Sequence, residues 1–257
     1  MKEHEYLALS YTWGVESPTY PIVIDGKEFR VRENLWWFLS YVASGRLPYH
    51  SNADTGTSCY IWIDQICISQ SSKKEKNHQV SMMSDIYRGA KEVVAWMGRE
   101  TEKSLDCMQF LEQAADVFHA QLRDAQYEVL DPHLRFNLRF RNALDVLCRQ
   151  PYWGRIWIIQ EFAMAHRVKL TWGDMSLCVD NLRLSKILFE VAHVDRSDHV
   201  LYRLCKLRRE TSTAGRHGLD IPFMELCLRF GDFACTNLRD TFYRAQTPGA
   251  QRHWAPT

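Results

Sequence analysis

Tyr6-Leu-Ala-Leu-Ser-Tyr-Thr-Trp-Gly14 reads as a short apolar strand, Tyr6 to Tyr11, which Thr12-Trp-Gly14 turns out of a sheet. Further runs repeat that pattern. Cys59-Tyr-Ile-Trp-Ile-Asp64 is a core strand whose last residue is an acid, and Gly89-Ala-Lys-Glu-Val-Val-Ala-Trp-Met-Gly98 is a strand closed by glycine. Arg167-Val-Lys-Leu-Thr-Trp-Gly173 follows later. Strands that alternate with helices predict an α/β fold, with a mostly parallel sheet flanked by helices. Ligands of such sheets bind outside the carboxyl ends of the strands. Ser10-Tyr-Thr-Trp-Gly14, Asp64-Gln65 and Trp96-Met-Gly98 are therefore expected to share one edge.

The segments between carry ordinary signals. Tyr20 to Val31 alternates around Asp25-Gly26, which predicts a hairpin. Asn34 is expected to cap a helix that carries Leu35, Trp36, Phe38, Leu39 and Val42 and ends near Gly45. Residues 48–58 and Gln65 to Ser72 read as loops. Ser72 or a near neighbour starts a helix to Arg88, with Val80, Met83, Ile86 and Tyr87 on one stripe. Helical stretches follow at about 102–127 and 134–149, split by Asp131-Pro132. From about residue 180 the pattern is helical again: Leu182 to Val194, Val200 to Thr211 and Pro222 to Phe230. These elements predict a single domain over 1–243 and an unstructured tail over 244–257.

Composition excludes several classes. Of 257 residues, 46% are hydrophobic and 25% charged, as in ordinary soluble domains. A formal net charge of +1 argues against a general nucleic-acid or anionic-membrane binder. The basic cluster Arg203, Lys206, Arg208, Arg209 is either a phosphate holder or, more simply, a solvated helix face. The eight cysteines form no Cys-x-x-Cys pair and read as reduced core residues, which predicts a cytoplasmic location. No apolar run approaches membrane-spanning length. No metal cluster, serine-histidine-aspartate order or P-loop stands out.

Chemistry concentrates in Arg149-Gln-Pro-Tyr-Trp-Gly-Arg-Ile-Trp-Ile-Ile-Gln-Glu-Phe-Ala-Met-Ala165. This stretch predicts an almost wholly apolar helix with Pro151 in its first turn. Trp157, Glu161 and Ala165 would share one face. A carboxylate on such a buried helix needs a partner or a task. Glu161 is therefore either half of a structural ion pair, with Arg155 or an arginine elsewhere, or a functional acid. Arg155 would pair either with a phosphate or with Glu161 as a structural ion pair, and that second role would sink the catalytic one.

Three blocks resemble the fungal heterokaryon incompatibility (HET) domain: Tyr6 to Gly14; Ile61-Trp-Ile-Asp-Gln-Ile-Cys-Ile-Ser-Gln70 continuing to Val93-Val-Ala-Trp-Met-Gly98; and Tyr152 to Ala165. Cys235-Thr-Asn-Leu-Arg-Asp-Thr-Phe-Tyr243 is similar to the stretch that closes many members. Beyond Tyr243 the sequence departs from the family's apolar run, so the expectation is a truncated or alternatively ended chain that misses a downstream region. The resemblance implies self/non-self recognition in filamentous fungi and programmed cell death. It also implies self-association or a receptor-type protein partner, and neither nucleic acid nor membrane.

Leu9-Ser10-Tyr11 and Trp157-Ile-Ile-Gln-Glu161 are also similar to elements of Toll/interleukin-receptor (TIR) domains, whose sheet is flavodoxin-like, and relative to that smaller fold the resemblance implies a helical insertion at about 100–150. In the TIR domains that cleave NAD+, the matching glutamate is catalytic. The resemblance thus implies an NAD+ glycohydrolase in which Glu161 is the catalytic residue. Ser10, Tyr11, Trp13, Gly14, Asp64, Arg155 and Trp157 would line the site. NAD+ would be the substrate, and no cofactor would be required. The competing expectation is a non-enzymatic oligomerising module that recruits a death-executing partner.

Overall fold

The computed structural model describes residues 5–47, 49, 59–123, 138–155, 157–179 and 200–213. The expected helices Leu182 to Val194 and Pro222 to Phe230, nearly all of the loop at 48–58 and the tail at 244–257 lie outside these residues.

The centre is a five-stranded sheet. Its strands are β1 (Tyr6–Tyr11), β4 (Tyr60–Trp62), β5 (Glu92–Trp96), β6 (Val168–Trp172) and β7 (Met175–Cys178), in the order β4-β1-β5-β6-β7. β1 runs parallel to β4 and β5, and β5 runs parallel to β6. β7 returns antiparallel along the edge. The fold is therefore α/β with a mostly parallel sheet, as expected, and its four parallel strands run in the order second, first, third, fourth.

A separate hairpin joins β2 (Thr19–Ile24) to β3 (Lys27–Arg32). Asp25 and Gly26 at its tip have φ of 49° and 74°, the paired left-handed geometry that matches the twist of the strands. The helices are α1 (Glu33–Ala43), α2 (Asp64–Cys67), α3 (Lys73–Gly89), α4 (Glu102–Arg123), α5 (Leu138–Cys148) and α6 (Val200–Thr213). Ser72 caps α3 as expected, its hydroxyl accepting from the backbone of Glu75 at 3.3 Å.

Side-chain alternation along the strands builds two apolar clusters, one on each face of the sheet. Ala8, Val93, Ala95, Val168 and Leu170 face Met83 and Tyr87 of α3, Met108 of α4, Leu147 of α5 and Leu204 of α6. Leu9, Tyr11, Val94 and Trp96 face Leu35, Phe38 and Tyr41 of α1. The helix that follows β1 thus covers one face, and the helix that leads into β5 covers the other. Between β1 and β5 the chain's connections diverge, so this is the sheet's topological switch point.

Several local expectations are corrected. Asn34 does not cap α1. Its amide donates to the carbonyl of Thr12 at 2.7 Å and accepts from the indole of Trp96 at 2.9 Å, so its side chain is already committed. The expected loop after Asp64 instead opens with the short helix α2. β7 was not expected, although Gly173-Asp174 is a two-residue hairpin signal, and Gly173 has φ 61°. Among the described cysteines only Cys107 and Cys205 are buried, and Cys67 is exposed. No helix among the described residues is long and apolar enough to cross a membrane.

Candidate functional site

The expected helix over 149–165 is not one helix. Pro151–Gly154 form a 3-10 turn, with Pro151 in its opening turn. Arg155 is extended, and Ile159–Ala163 form a π-helical turn. Wide turns of this kind are uncommon and concentrate where side chains must be re-aimed. Here the break lets Arg155 fold back on Glu161, six residues later. Arg208 of α6 steadies the far end of the π turn. Its guanidinium donates to the carbonyls of Phe162 at 2.9 Å, Ala165, and His166 at 2.8 Å. Carbonyls that have lost their helical partners are thereby satisfied. The basic cluster is thus no uniform solvated face, because Arg208 is buried.

Glu161 sits at the middle of the site. It is 1% exposed, and both of its oxygens are engaged. Arg155 Nη1 donates to Oε2 at 2.8 Å and Nη2 to Oε1 at 2.9 Å, a bidentate pair. Ser10 Oγ donates to Oε2 as well, and shares a hydrogen bond of 2.6 Å with Tyr152 Oη. Ser10 reaches Glu161 because it lies on the α3 face of β1, whereas Tyr11 points to the α1 face. Burial, and then the charge of Glu161, push the Tyr152 phenol upward. Burial alone would lower the pKa of Arg155, but the Glu161 carboxylate, followed by Asp64, raises it overall.

A second group lies along the same carboxyl edge. Trp13 Nε1 donates to Asp64 Oδ2 at 2.7 Å, and the backbone N–H of Gln65 donates to Oδ1 at 2.7 Å. Tyr11 OH donates to Gln65 Oε1 at 3.2 Å. Burial raises the pKa of Asp64, Arg155 opposes the shift and Glu161 adds to it. The two groups therefore form one electrostatic centre of two carboxylates and one guanidinium. Burial and Asp64 also push Tyr11 well above the usual phenol range.

Of the residues expected at the site, Glu161, Arg155 and Ser10 are in direct contact, with Tyr11, Trp13 and Asp64 beside them. Gly14 follows Trp13 in the left-handed conformation, with φ 72°. Trp157 packs against the larger apolar cluster. Its direct link to Glu161 is through the backbone, the Glu161 N–H donating to the Trp157 carbonyl at 3.1 Å. Sequence reasoning did not single out Tyr152, Gln65 or Arg208. Tyr152 and Gln65 sit on short helical turns that leave no periodic signal, and Arg208 was grouped with its basic neighbours. Among the described residues no cluster of three or more histidines, cysteines or acids is placed to hold a metal.

Residues 6–161, which run from the start of β1 to the carboxylate of the site, match the family model for heterokaryon incompatibility protein (HET). The chain is 29% identical over 196 residues to heterokaryon incompatibility protein 6, OR allele, of Neurospora crassa. That alignment covers 69% of this chain and 28% of the relative, so the chain spans only a fraction of the relative's length. No solved structure matches. By its match from the first strand to Glu161, the chain belongs to the heterokaryon incompatibility (HET) protein family.

Proposed function

We propose that this chain is a cell-death effector module of heterokaryon incompatibility, and that its polar centre is an NAD+-cleaving site held shut in the state described. One observation carries the reading: Ser10, Glu161, Arg155 and Asp64 converge on the carboxyl edge of the sheet. Open α/β sheets bind their ligands there, and groups with shifted pKa values, as Asp64 and Arg155 have here, concentrate at active sites. Two carboxylates set against one guanidinium leave excess negative charge, which suits a cationic nicotinamide ring.

In this reading Glu161 faces C1′ of the nicotinamide ribose. The C–N bond breaks and both of its electrons go to the ring nitrogen, so nicotinamide leaves neutral and no general acid is required. Glu161 stabilises the oxocarbenium-like transition state. Water then adds to C1′ and releases its proton to solvent, giving ADP-ribose. Opening requires Arg155 to exchange Glu161 for another anion, and a pyrophosphate matches a guanidinium well. Arg155 has the path outward, its side chain being 17% exposed against 1% for Glu161. Self-association or a receptor-type protein partner is the expected trigger.

A second reading rests on the same pair. A bidentate bond that fills both oxygens of a buried glutamate is also how a structural staple looks. The chain would then be a non-enzymatic oligomerising module that recruits a death-executing partner.

Expression in a filamentous fungus, fused to an inducible dimeriser, tests both. The effector reading expects hyphal death with the wild-type chain and survival with an equally abundant Glu161→Gln variant. Equal killing by both would favour the recruiting module. Normal growth with the dimerised wild type would remove the cell-death role itself.

A further inference from the structure

A cleft of about 250 Å³ opens at the switch point and shares Trp13, through its bond to Asp64, with the Glu161 centre. The loop after β1 contributes Trp13 and Gly14, the start of α1 contributes Glu33, Asn34 and Trp37, and the loop after β5 contributes Arg99. The Glu33 carboxylate is engaged by the Trp37 indole, which donates to it at 3.4 Å. These are the loops that follow the two strands whose connections diverge, the crevice where doubly wound sheets take their ligands.

The lining is built in advance. Asn34 is fixed by its bonds to Thr12 and Trp96. Gly14 has no atom within 4 Å of where a side chain would start, so the loop leaves the mouth open. Each indole already carries a guanidinium over its face, Arg99 at 4.6 Å from Trp37 and Arg32 at 4.9 Å from Trp13. Arg32 is otherwise spent on the Gly14 carbonyl at 3.0 Å and on Glu16 at 3.3 Å. Arg99 is exposed and has no hydrogen-bond or ion-pair acceptor among the described residues. Flat apolar walls beside a free, fork-shaped cation are the recognition elements for an aromatic base joined to a phosphate. The volume suits one nucleotide rather than a dinucleotide.

We propose that this cleft binds a purine nucleotide, with the base against the Trp37 and Trp13 indoles and the phosphate on Arg99. The assignment stands whether or not Glu161 cleaves NAD+. The nucleotide has two available sources, the adenosine phosphate end of a dinucleotide reaching the Glu161 centre or a free mononucleotide.

The test is calorimetric titration of the purified chain with AMP, adenosine and ribose 5-phosphate. AMP should bind more tightly than either fragment. Arg99→Ala should weaken AMP by about tenfold while leaving adenosine unchanged, and Trp37→Ala should weaken adenosine and AMP by about the same factor. Arg99 is exposed, so its variant keeps the fold and remains informative if Trp37→Ala does not. Glu161→Gln should leave AMP binding intact, which separates this site from the catalytic reading. In that variant, competition between NAD+ and AMP identifies the dinucleotide as the source, and independent binding identifies a free nucleotide. Absence of AMP binding, or an Arg99→Ala variant that binds AMP like the wild type, would overturn the proposal.

Discussion

Arg155 holds Glu161 by both terminal nitrogens, at 2.8 and 2.9 Å, across a break between a 3-10 turn and a π turn. In the proposed reading the pair is the lock on the site, and the break in the helix is what lets it form.

Breaking that pair from one side strands a buried charge. Arg155→Met should cost about 3–5 kcal/mol of stability, because Glu161 stays buried and loses its partner. Adding Glu161→Gln should recover more than half of that loss. Urea denaturation of the wild type, the single and the double variant measures both. A single-variant cost under about 1 kcal/mol would show that water reaches Glu161 and that the site is not closed.

Arg208→Met should be costly, because the Arg208 guanidinium ties down three carbonyls at the far end of the π turn. Each hydrogen bond from a charged donor is worth about 1.5–3 kcal/mol, and the three made to Phe162, Ala165 and His166 do not add independently. A loss of about 3 kcal/mol is expected, with faster amide exchange in α6 than in β5. Arg208→Lys should recover little, because a single ammonium cannot span three carbonyls. Thermal unfolding and hydrogen exchange read the two effects separately.

Asp64 gives a dependence on pH. Its pKa is raised, first by burial, so the folded state holds the proton more tightly than the unfolded chain does. The stability it contributes is therefore fully present below the ordinary aspartate value of about 3.9, and is lost as pH rises through its higher folded value. Asp64→Asn keeps an oxygen for the Trp13 indole and carries no charge to bury. Relative to that variant, the wild type should lose stability from acid toward neutral pH and then level off. Paired denaturation curves across that range check it, and a difference that grows in the opposite direction would show a depressed pKa.

Two glycines separate backbone strain from crowding. Gly14 and Gly173 have φ of 72° and 61°, so alanine costs about 1–2 kcal/mol at each from conformation alone. At Gly14 the added carbon meets nothing within 4 Å. At Gly173 it lies 2.7 Å from Cβ of Glu100, whose carboxylate is tied to Arg46 at 2.8 Å. Gly173→Ala should therefore destabilise clearly more than Gly14→Ala, by calorimetric melting of both.

Strands were legible because their signals are local and repeated. Tyr6–Tyr11 was bounded correctly by an apolar run and a Thr-Trp-Gly exit, and the hairpin by Asp25-Gly26. Ser72 was legible for the same reason, a side chain that serves its own helix. The carboxyl-edge cluster followed from the parallel sheet, since strands that run the same way bring Ser10, Trp13 and Asp64 to one side.

What sequence could not show was decided at a distance. Locally, Trp157 to Ala165 favours a continuous helix. Arg155 turning onto Glu161, and Arg208 arriving from more than forty residues away, favour the break. Asn34 failed as a cap because Trp96, far along the chain, claims its side chain. Trp37 and Arg99 carry no shared motif, and only the divergence of connections around β1 and β5 places them in one cleft.

The most direct measurement of the central claim is nicotinamide release from NAD+ by the purified chain, over a range of protein concentrations and after cross-linking, beside Glu161→Gln. The account predicts little release from the dilute chain, a steep rise on assembly, and none from the variant. A folded, cross-linked wild type that releases no nicotinamide, or a Glu161→Gln variant that releases as much as the wild type, would contradict it.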